Sequence, residues 1–272
     1  LVLGGVPSLA VIPLSAGDSI YATDGIVRPY PYPSAIRVNI TLLEEGGQTT
    51  KINEIPPSLS AQQWSDMVEQ TLSLALEHGA PWILLAGTIP HDPAGNPLEL
   101  TPLFERAQQQ GISLGLDTSG PALLEMARKG LPDFIKPNAP ELAECVGRPL
   151  LTVGDVVDAA TEVHHWGVGN VVVSLGPDGM VGVSSSGVVH AFSEKVKVRN
   201  IIGAGDASVA GFLSHCVSHP DDFVESVRTG VAWGALKVQE VSSQLQSLKG
   251  LPTVTTAENP HRGQPLLEPG LL

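Results

Sequence analysis

Gly203-Ala204-Gly205-Asp206 brings together the small backbone and the carboxylate that phosphoryl chemistry uses, and a small apolar run, Ala207–Leu213, follows it. That run predicts a buried helix with the four residues at its N-terminus. Helix N-termini offer unpaired amides and the positive end of the dipole to an anion, and glycines let the anion approach the main chain. Phosphoryl transfer needs an in-line nucleophile, charge neutralisation and a base within reach of the attacking hydroxyl. Asp206 beside such an anion hole supplies the last two together. Aspartate is also a good helix N-cap, so the same four residues read as an ordinary helix start.

Lys136-Pro137-Asn138-Ala139-Pro140-Glu141 follows the short strand Phe134-Ile135, at the strand end where open α/β sheets bind ligands. Asn138 and Glu141 at this spacing could hold a water on Mg2+. The alternative is a helix start, with Pro140 in the first turn and Glu141 complementing the dipole. The strand Asn170–Ser174 runs into Leu175-Gly176-Pro177-Asp178-Gly179, a turn that can lie against a nucleotide or close a tight hairpin with no ligand. Arg37 offers a planar fork of donors to a phosphate, or else a solvated surface charge. Asp117-Thr118-Ser119-Gly120 stands at a strand end facing a site mouth, but it reads as a standard helix start and is left outside the catalytic set. His164 and His165 are neighbours on a helical segment and share no face, so they form no two-histidine metal site.

The elements that must hold these residues alternate. Apolar runs at Trp82–Ala86, Ile112–Asp117 and Asn170–Ser174 are separated by amphipathic segments at Ala61–Glu77, Leu98–Gln110, Pro121–Lys129, Glu141–Val146 and Val153–Trp166. This is the pattern of a mostly parallel sheet covered by helices, joined by right-handed crossovers. Ile36–Leu43 and Thr49–Asn53 alternate around a polar, Gly-containing turn at Glu44–Gln48, which reads as a hairpin outside that rhythm. After Gly250 the text is punctuated by proline with no periodicity, and residues 251–272 are expected to be irregular. No repeat and no second set of boundaries is found, so one domain spanning 1–272 with a small β appendage is expected.

Composition narrows the partners. The 272 residues, 42% hydrophobic and 16% charged, suffice for a substantial core. A net charge of −13 leaves no surplus of Lys or Arg to displace counterions from nucleic acid, so any phosphate is met by backbone amides and a few placed cations. There is no apolar run of eighteen residues and no leader pattern after Leu1, so a soluble, cytoplasmic protein without a membrane partner is expected. Cys145 and Cys216, far apart and in no ligand spacing, read as packing residues.

Taken in order, Ile-Arg-Val-Asn, Leu-Asp-Thr-Ser-Gly, Ile-Lys-Pro-Asn-x-x-Glu-Leu, Val-Val-Ser-Leu-Gly-x-x-Gly and Gly-Ala-Gly-Asp resemble the phosphofructokinase B family, across roughly Leu1 to Val241. The resemblance implies a ribokinase-like three-layer α/β sandwich with a mostly parallel central sheet and a small β-lid at 36–53. It implies an ATP- and Mg2+-dependent sugar-phosphate kinase with Asp206 as base and Gly203, Ala204 and Gly205 as the anion hole. It further implies a nucleotide site lined by Lys136, Asn138, Ser174, Gly176 and Gly179, with Glu141 meeting the metal through water. Arg37 would grip the phosphate of the sugar, with Asn39, Gly87 and Thr88 beside it; Leu85-Ala86-Gly87-Thr88-Ile89-Pro90 resembles the family's Ser-Gly-Ser-Leu-Pro turn. Arg37-Val38-Asn39-Ile40 and Thr50-Lys51-Ile52-Asn53 resemble the 1-phosphofructokinase branch most, which implies fructose 1-phosphate as substrate. Exposed lid edges pair readily, so a homodimer is expected.

The chain departs from the family pattern in three places. The family's opening strand and its Gly-Gly-Lys-Gly-like loop have no counterpart, and the expectation is that they lie before Leu1. The stretch from Gly17 to Ile36 is short. Asn200-Ile201-Ile202 stands where a threonine is usual, which replaces a hydroxyl that would help order the loop or a monovalent cation with an aliphatic side chain. The alternatives kept open are a 6-phosphofructokinase or tagatose-6-phosphate kinase, and a non-catalytic sugar-phosphate or nucleotide sensor on the same fold.

Overall fold

In the computed structural model the described residues are 1–18, 25–43, 49–55 and 57–272. They form two compact units, one of residues 8–79 and 88–99, the other of residues 1–7, 80–87 and 100–272. The sequence reading expects a single domain.

In the smaller unit, Ala10–Leu14 (β1) pairs in parallel with Val27–Pro31 (β2). Asn39–Leu43 (β3) and Thr49–Asn53 (β4) pair antiparallel, with Ile40 opposite Ile52, as the expected hairpin. The expected turn at Glu44–Gln48 lies outside the described residues. The helix Ala61–Glu77 (α1) starts at a capping box in which Ser60 and Gln63 satisfy each other's amides. It buries Trp64, Val68, Leu72 and Ala75, spaced to fall on one face. The Trp64 indole donates to the Glu99 carbonyl at 2.9 Å.

The larger unit carries the expected alternation. In chain order it holds Trp82–Ala86 (β5), Thr101–Gln109 (α2), Ser113–Asp117 (β6), Gly120–Arg128 (α3), Phe134–Ile135 (β7), Ala139–Val146 (α4), Leu150–Thr152 (β8) and Val153–His165 (α5). There follow Asn170–Ser174 (β9), Met180–Ser184 (β10), Gly187–Ser193 (β11), Ala204–Cys216 (α6), Phe223–Lys237 (α7), Val254–Ala257 (β12) and Pro265–Gly270 (β13). One seven-stranded sheet runs in the order β12-β11-β10-β9-β7-β6-β5. The neighbours among β5, β6, β7 and β9 are parallel, and β10, β11 and β12 extend the sheet antiparallel.

Helices cover both faces. On one, Val172, Met180, Val189 and Ala191 pack against Val209, Phe212 and Leu213 of α6 and Phe223, Val227 and Val231 of α7. The Phe134 and Phe212 rings stack there at 4.5 Å. Fully burying a Val, Leu, Met or Phe side chain contributes about 1.5–3 kcal/mol. Val171 and Val173 alternate with Val172 and so point to the other face, where α5 packs on β9 and β10.

Residues 251–272, expected to be irregular, supply two strands instead. β12 adds to β11, with Val254 opposite Ser193, and β13 pairs with β8. These pairings join positions 61 or more residues apart, so local periodicity holds no trace of them. Helix α7 is likewise absent from the helices read in the sequence. It is buried on several sides, which blurs the amphipathic stripe that marks a surface helix.

Candidate active site

The parallel strands β5, β6, β7 and β9 deliver Gly87, Asp117, Lys136 and Ser174 to their C-terminal ends, the edge at which open α/β sheets bind ligands. Gly87 and Asp117 are tied there by the Gly87 amide donating to the Asp117 carbonyl at 2.9 Å. The Thr118 hydroxyl returns a bond to the Gly87 carbonyl at 2.7 Å. Thr118 is thereby committed across strands, and Ser119 caps α3 with no side-chain bond.

Lys136 is 7% exposed, and its Nζ sits 3.3 Å from Asp117 Oδ1. Burial raises the pKa of Asp117, Lys136 pulls it down, and the negative charge of Asp206 pushes it up again. The lysine also stands 3.6 Å from where a β-carbon on Gly205 would lie. Asp117, Lys136 and Asp206 therefore form one charged cluster beside Gly205, and it includes Asp117, which the sequence reading leaves outside the catalytic set. The signal for Asp117 is its position at the C-terminal end of a parallel strand.

Gly203 is the N-cap of α6, with φ 84°, a left-handed conformation that favours glycine. A β-carbon there would also collide with the Ser243 carbonyl. The Ala204 amide donates to the Ile201 carbonyl at 3.1 Å, whereas the amides of Gly203, Gly205 and Asp206 meet no acceptor among the described residues. The Asp206 carboxylate is exposed and caps nothing, since α6 has no side-chain cap. The helix-start reading is thus realised by Gly203, and Asp206 is left free for other work.

Asn138 and Glu141 form the capping box of α4. The Asn138 amide donates to Glu141 Oε2 at 2.9 Å, and the Glu141 amide to Asn138 Oδ1 at 2.8 Å. Burial raises the pKa of Glu141, against the pull of the Asn138 amide and Lys136. Among the described residues no cluster of three or more His, Cys, Asp or Glu could hold a metal ion directly. Mg2+ takes one or two carboxylates together with waters and substrate phosphates, and the Glu141 carboxylate, which gives only Oε2 to the capping box, fits that requirement through water.

Ser174 lies in bridge register beside Asn138, its amide donating to the Pro137 carbonyl at 2.9 Å. The Gly176–Asp178 turn that follows closes the β9–β10 hairpin, with Gly179 at φ 85°. Asp178 accepts from the Leu267 amide at 2.7 Å and from Gln264 Nε2 at 3.2 Å, so β13 holds this turn from behind. In the smaller unit Arg37 donates through Nη2 to Thr88 Oγ1 at 3.0 Å, and Asn39 opens β3 as an exposed residue.

Comparison with known proteins places this chain among sugar kinases in sequence and fold. A family model described as pfkB family carbohydrate kinase matches residues 27–249. The 1-phosphofructokinase of Rhodobacter capsulatus is 34% identical over 78% of this chain and 66% of its own length. The ATP-dependent 6-phosphofructokinase isozyme 2 of Escherichia coli (strain K12) is 33% identical over 75% of this chain and 65% of its own. The chain thus spans slightly less than two thirds of the length of these relatives. The crystal structure of phosphofructokinase-2 from Escherichia coli in complex with potassium superposes with a TM-score of 0.79 at 27% identity, covering 91% of this chain and 81% of that one.

Proposed function

This chain belongs to the pfkB family of carbohydrate kinases, and on that premise we propose that it transfers the γ-phosphoryl of ATP to a hydroxyl of fructose 1-phosphate, giving fructose 1,6-bisphosphate. The observation that carries the proposal is the pairing of an uncommitted, exposed Asp206 carboxylate with three uncommitted amides in the same helical turn. Asp206 accepts the proton of the attacking hydroxyl, and the amides of Gly203, Gly205 and Asp206 neutralise the transferring phosphoryl. Lys136, held by Asp117, brings a cation to the same turn. Ala204 contributes its small side chain and helical position, its amide being used by Ile201.

Asn138, Ser174, Gly176 and Gly179 are the proposed nucleotide ligands, and Arg37 with Asn39, Gly87 and Thr88 the proposed contacts of the sugar phosphate. Mg2+ bound to the nucleotide would be met through water by the Glu141 oxygen that the cap leaves free, and would neutralise phosphate charge. The β3–β4 hairpin is the proposed lid. Its face of Val38, Ile40, Leu42 and Ile52, each about half exposed, suits burial against a second copy in a homodimer, and Ile40→Lys is expected to yield monomers in sedimentation velocity.

The substrate is tested by kcat/KM for ATP-dependent phosphorylation of fructose 1-phosphate, fructose 6-phosphate and tagatose 6-phosphate. A dominant value for fructose 1-phosphate supports the proposal. A preference for fructose 6-phosphate assigns the activity named for the 33% identical relative, and nucleotide binding without transfer to any of the three assigns a sensor.

A further inference from the structure

Lys237 is 0% exposed, the most deeply buried charge among the described residues. Its place follows from helix packing. Gly230, Gly234 and Lys237 recur at four- and three-residue spacing and share the face of α7 that abuts α6. At the first two positions the helices are nearly in backbone contact: a β-carbon on Gly230 would lie 2.9 Å from the Ser208 carbonyl, and one on Gly234 would collide with Ser208 Oγ. One turn further on, the same face carries Lys237 beneath the start of α6. Its Cε comes within 3.4 Å of a β-carbon built on Gly203, and its Nζ donates to the Asn200 carbonyl at 3.4 Å.

Among the described residues no carboxylate lies within ion-pair distance of this ammonium. Burial lowers its pKa, with Glu240 opposing. A buried charge of this kind costs stability unless something is gained for it, and what surrounds it is the approach to the anion hole. The Arg199 and Asn200 amides both donate to the Val238 carbonyl, at 2.7 and 3.2 Å. The Asn200 side chain bridges the Val241 carbonyl and the Ile202 amide, each at 2.9 Å. Asn200-Ile201-Ile202 carries no hydroxyl of its own to brace the segment.

We infer that Lys237 is a positioning residue for phosphoryl transfer: a resident cation that ties the Arg199–Gly203 segment to the end of α7 and so fixes the amides of Gly203–Asp206 around the anion. The inference rests on the kinase reading of that turn. The last turn of α7 suits a cation, because the helix dipole is negative there.

The test is Lys237→Met, which keeps the stem and removes the charge. Replacing a lone buried charge with an apolar group is expected to leave the melting temperature unchanged or raised, while kcat falls about a hundredfold and the KM for the sugar changes far less. Amide exchange in residues 199–206 should quicken. Lys237→Ala should regain activity with added ammonium or methylammonium, and not with tetramethylammonium. A Lys237→Met protein with wild-type kcat and unchanged exchange in 199–206 overturns the inference, as does a loss of kcat that only tracks a lowered melting temperature. If the wild type phosphorylates none of the sugars tested, the kinase reading has failed. Amide exchange in 199–206 and the binding of inorganic phosphate by Lys237→Met still decide the positioning role separately.

Discussion

Asp117, Lys136 and Asp206 lie close enough for their charges to act on one another, the first two nearly buried and the third exposed. Lys136 reaches ion-pair distance with Asp117 in a nearly buried position, so Asp117→Ala leaves the lysine without its counter-charge. Removing one partner of such a pair costs about 3 kcal/mol or more, and urea unfolding of Asp117→Ala at neutral pH is expected to show that loss; a midpoint equal to wild type would contradict it. Much of the set was legible in the sequence. Gly203–Asp206, Lys136 and Asn138 announce themselves by glycine, charge and strand-end position. Asp-Thr-Ser-Gly spells a helix start, and α3 does begin there at Ser119; what the sequence does not show is the ion pair that joins Asp117 to Lys136. Lys237 could not be read at all, since a lysine in the last turn of a helix is ordinarily a solvated charge.

At the scale of elements, the position of the anion hole depends on how closely α6 lies against α7. A β-carbon on Gly211 would stand 2.7 Å from the Thr229 carbonyl, which is backbone and cannot swing away. Gly211→Ala should therefore push the helices apart and destabilise the fold by about 1–3 kcal/mol, read as a lowered thermal midpoint. A midpoint at or above that of wild type would show that the contact has slack. Elements with local signatures were readable: α1 and α5 follow from their amphipathic spacing, and in the structure each opens at a capping box, Ser60–Gln63 and Thr152–Asp155. The strands β12 and β13 were not, because short strands acquire their form from distant partners.

For the whole molecule, acid stability divides by sign. The pKa of Glu225 is lowered, first by its hydrogen bonds from Arg228 and then by the Arg228 and His215 charges, against burial. A carboxylate depressed in the fold contributes stability that is present above its unfolded pKa of about 4.3 and is lost as pH falls through the folded value. Asp117 and Glu141 are shifted the other way, so relative to their protonated forms they lose stability as pH rises through the folded value; what Asp117 still supplies at neutral pH is the counter-charge that Lys136 would otherwise lack. Glu225→Gln should be less stable than wild type at neutral pH, and the two unfolding curves should converge as pH drops below about 4. A gap that stays constant across pH would remove the ion pair from the account. The net charge of −13 was legible from composition and bears on partners; the pairing that sets this pH response was not.

The central claim is that Asp206 is the base beside a main-chain anion hole. The most direct measurement compares nucleotide affinity, by calorimetry with a non-hydrolysable ATP analogue, and phosphoryl transfer in Asp206→Asn. The account predicts an affinity within about twofold of wild type and a kcat lower by about a thousandfold. Turnover close to wild type would contradict it.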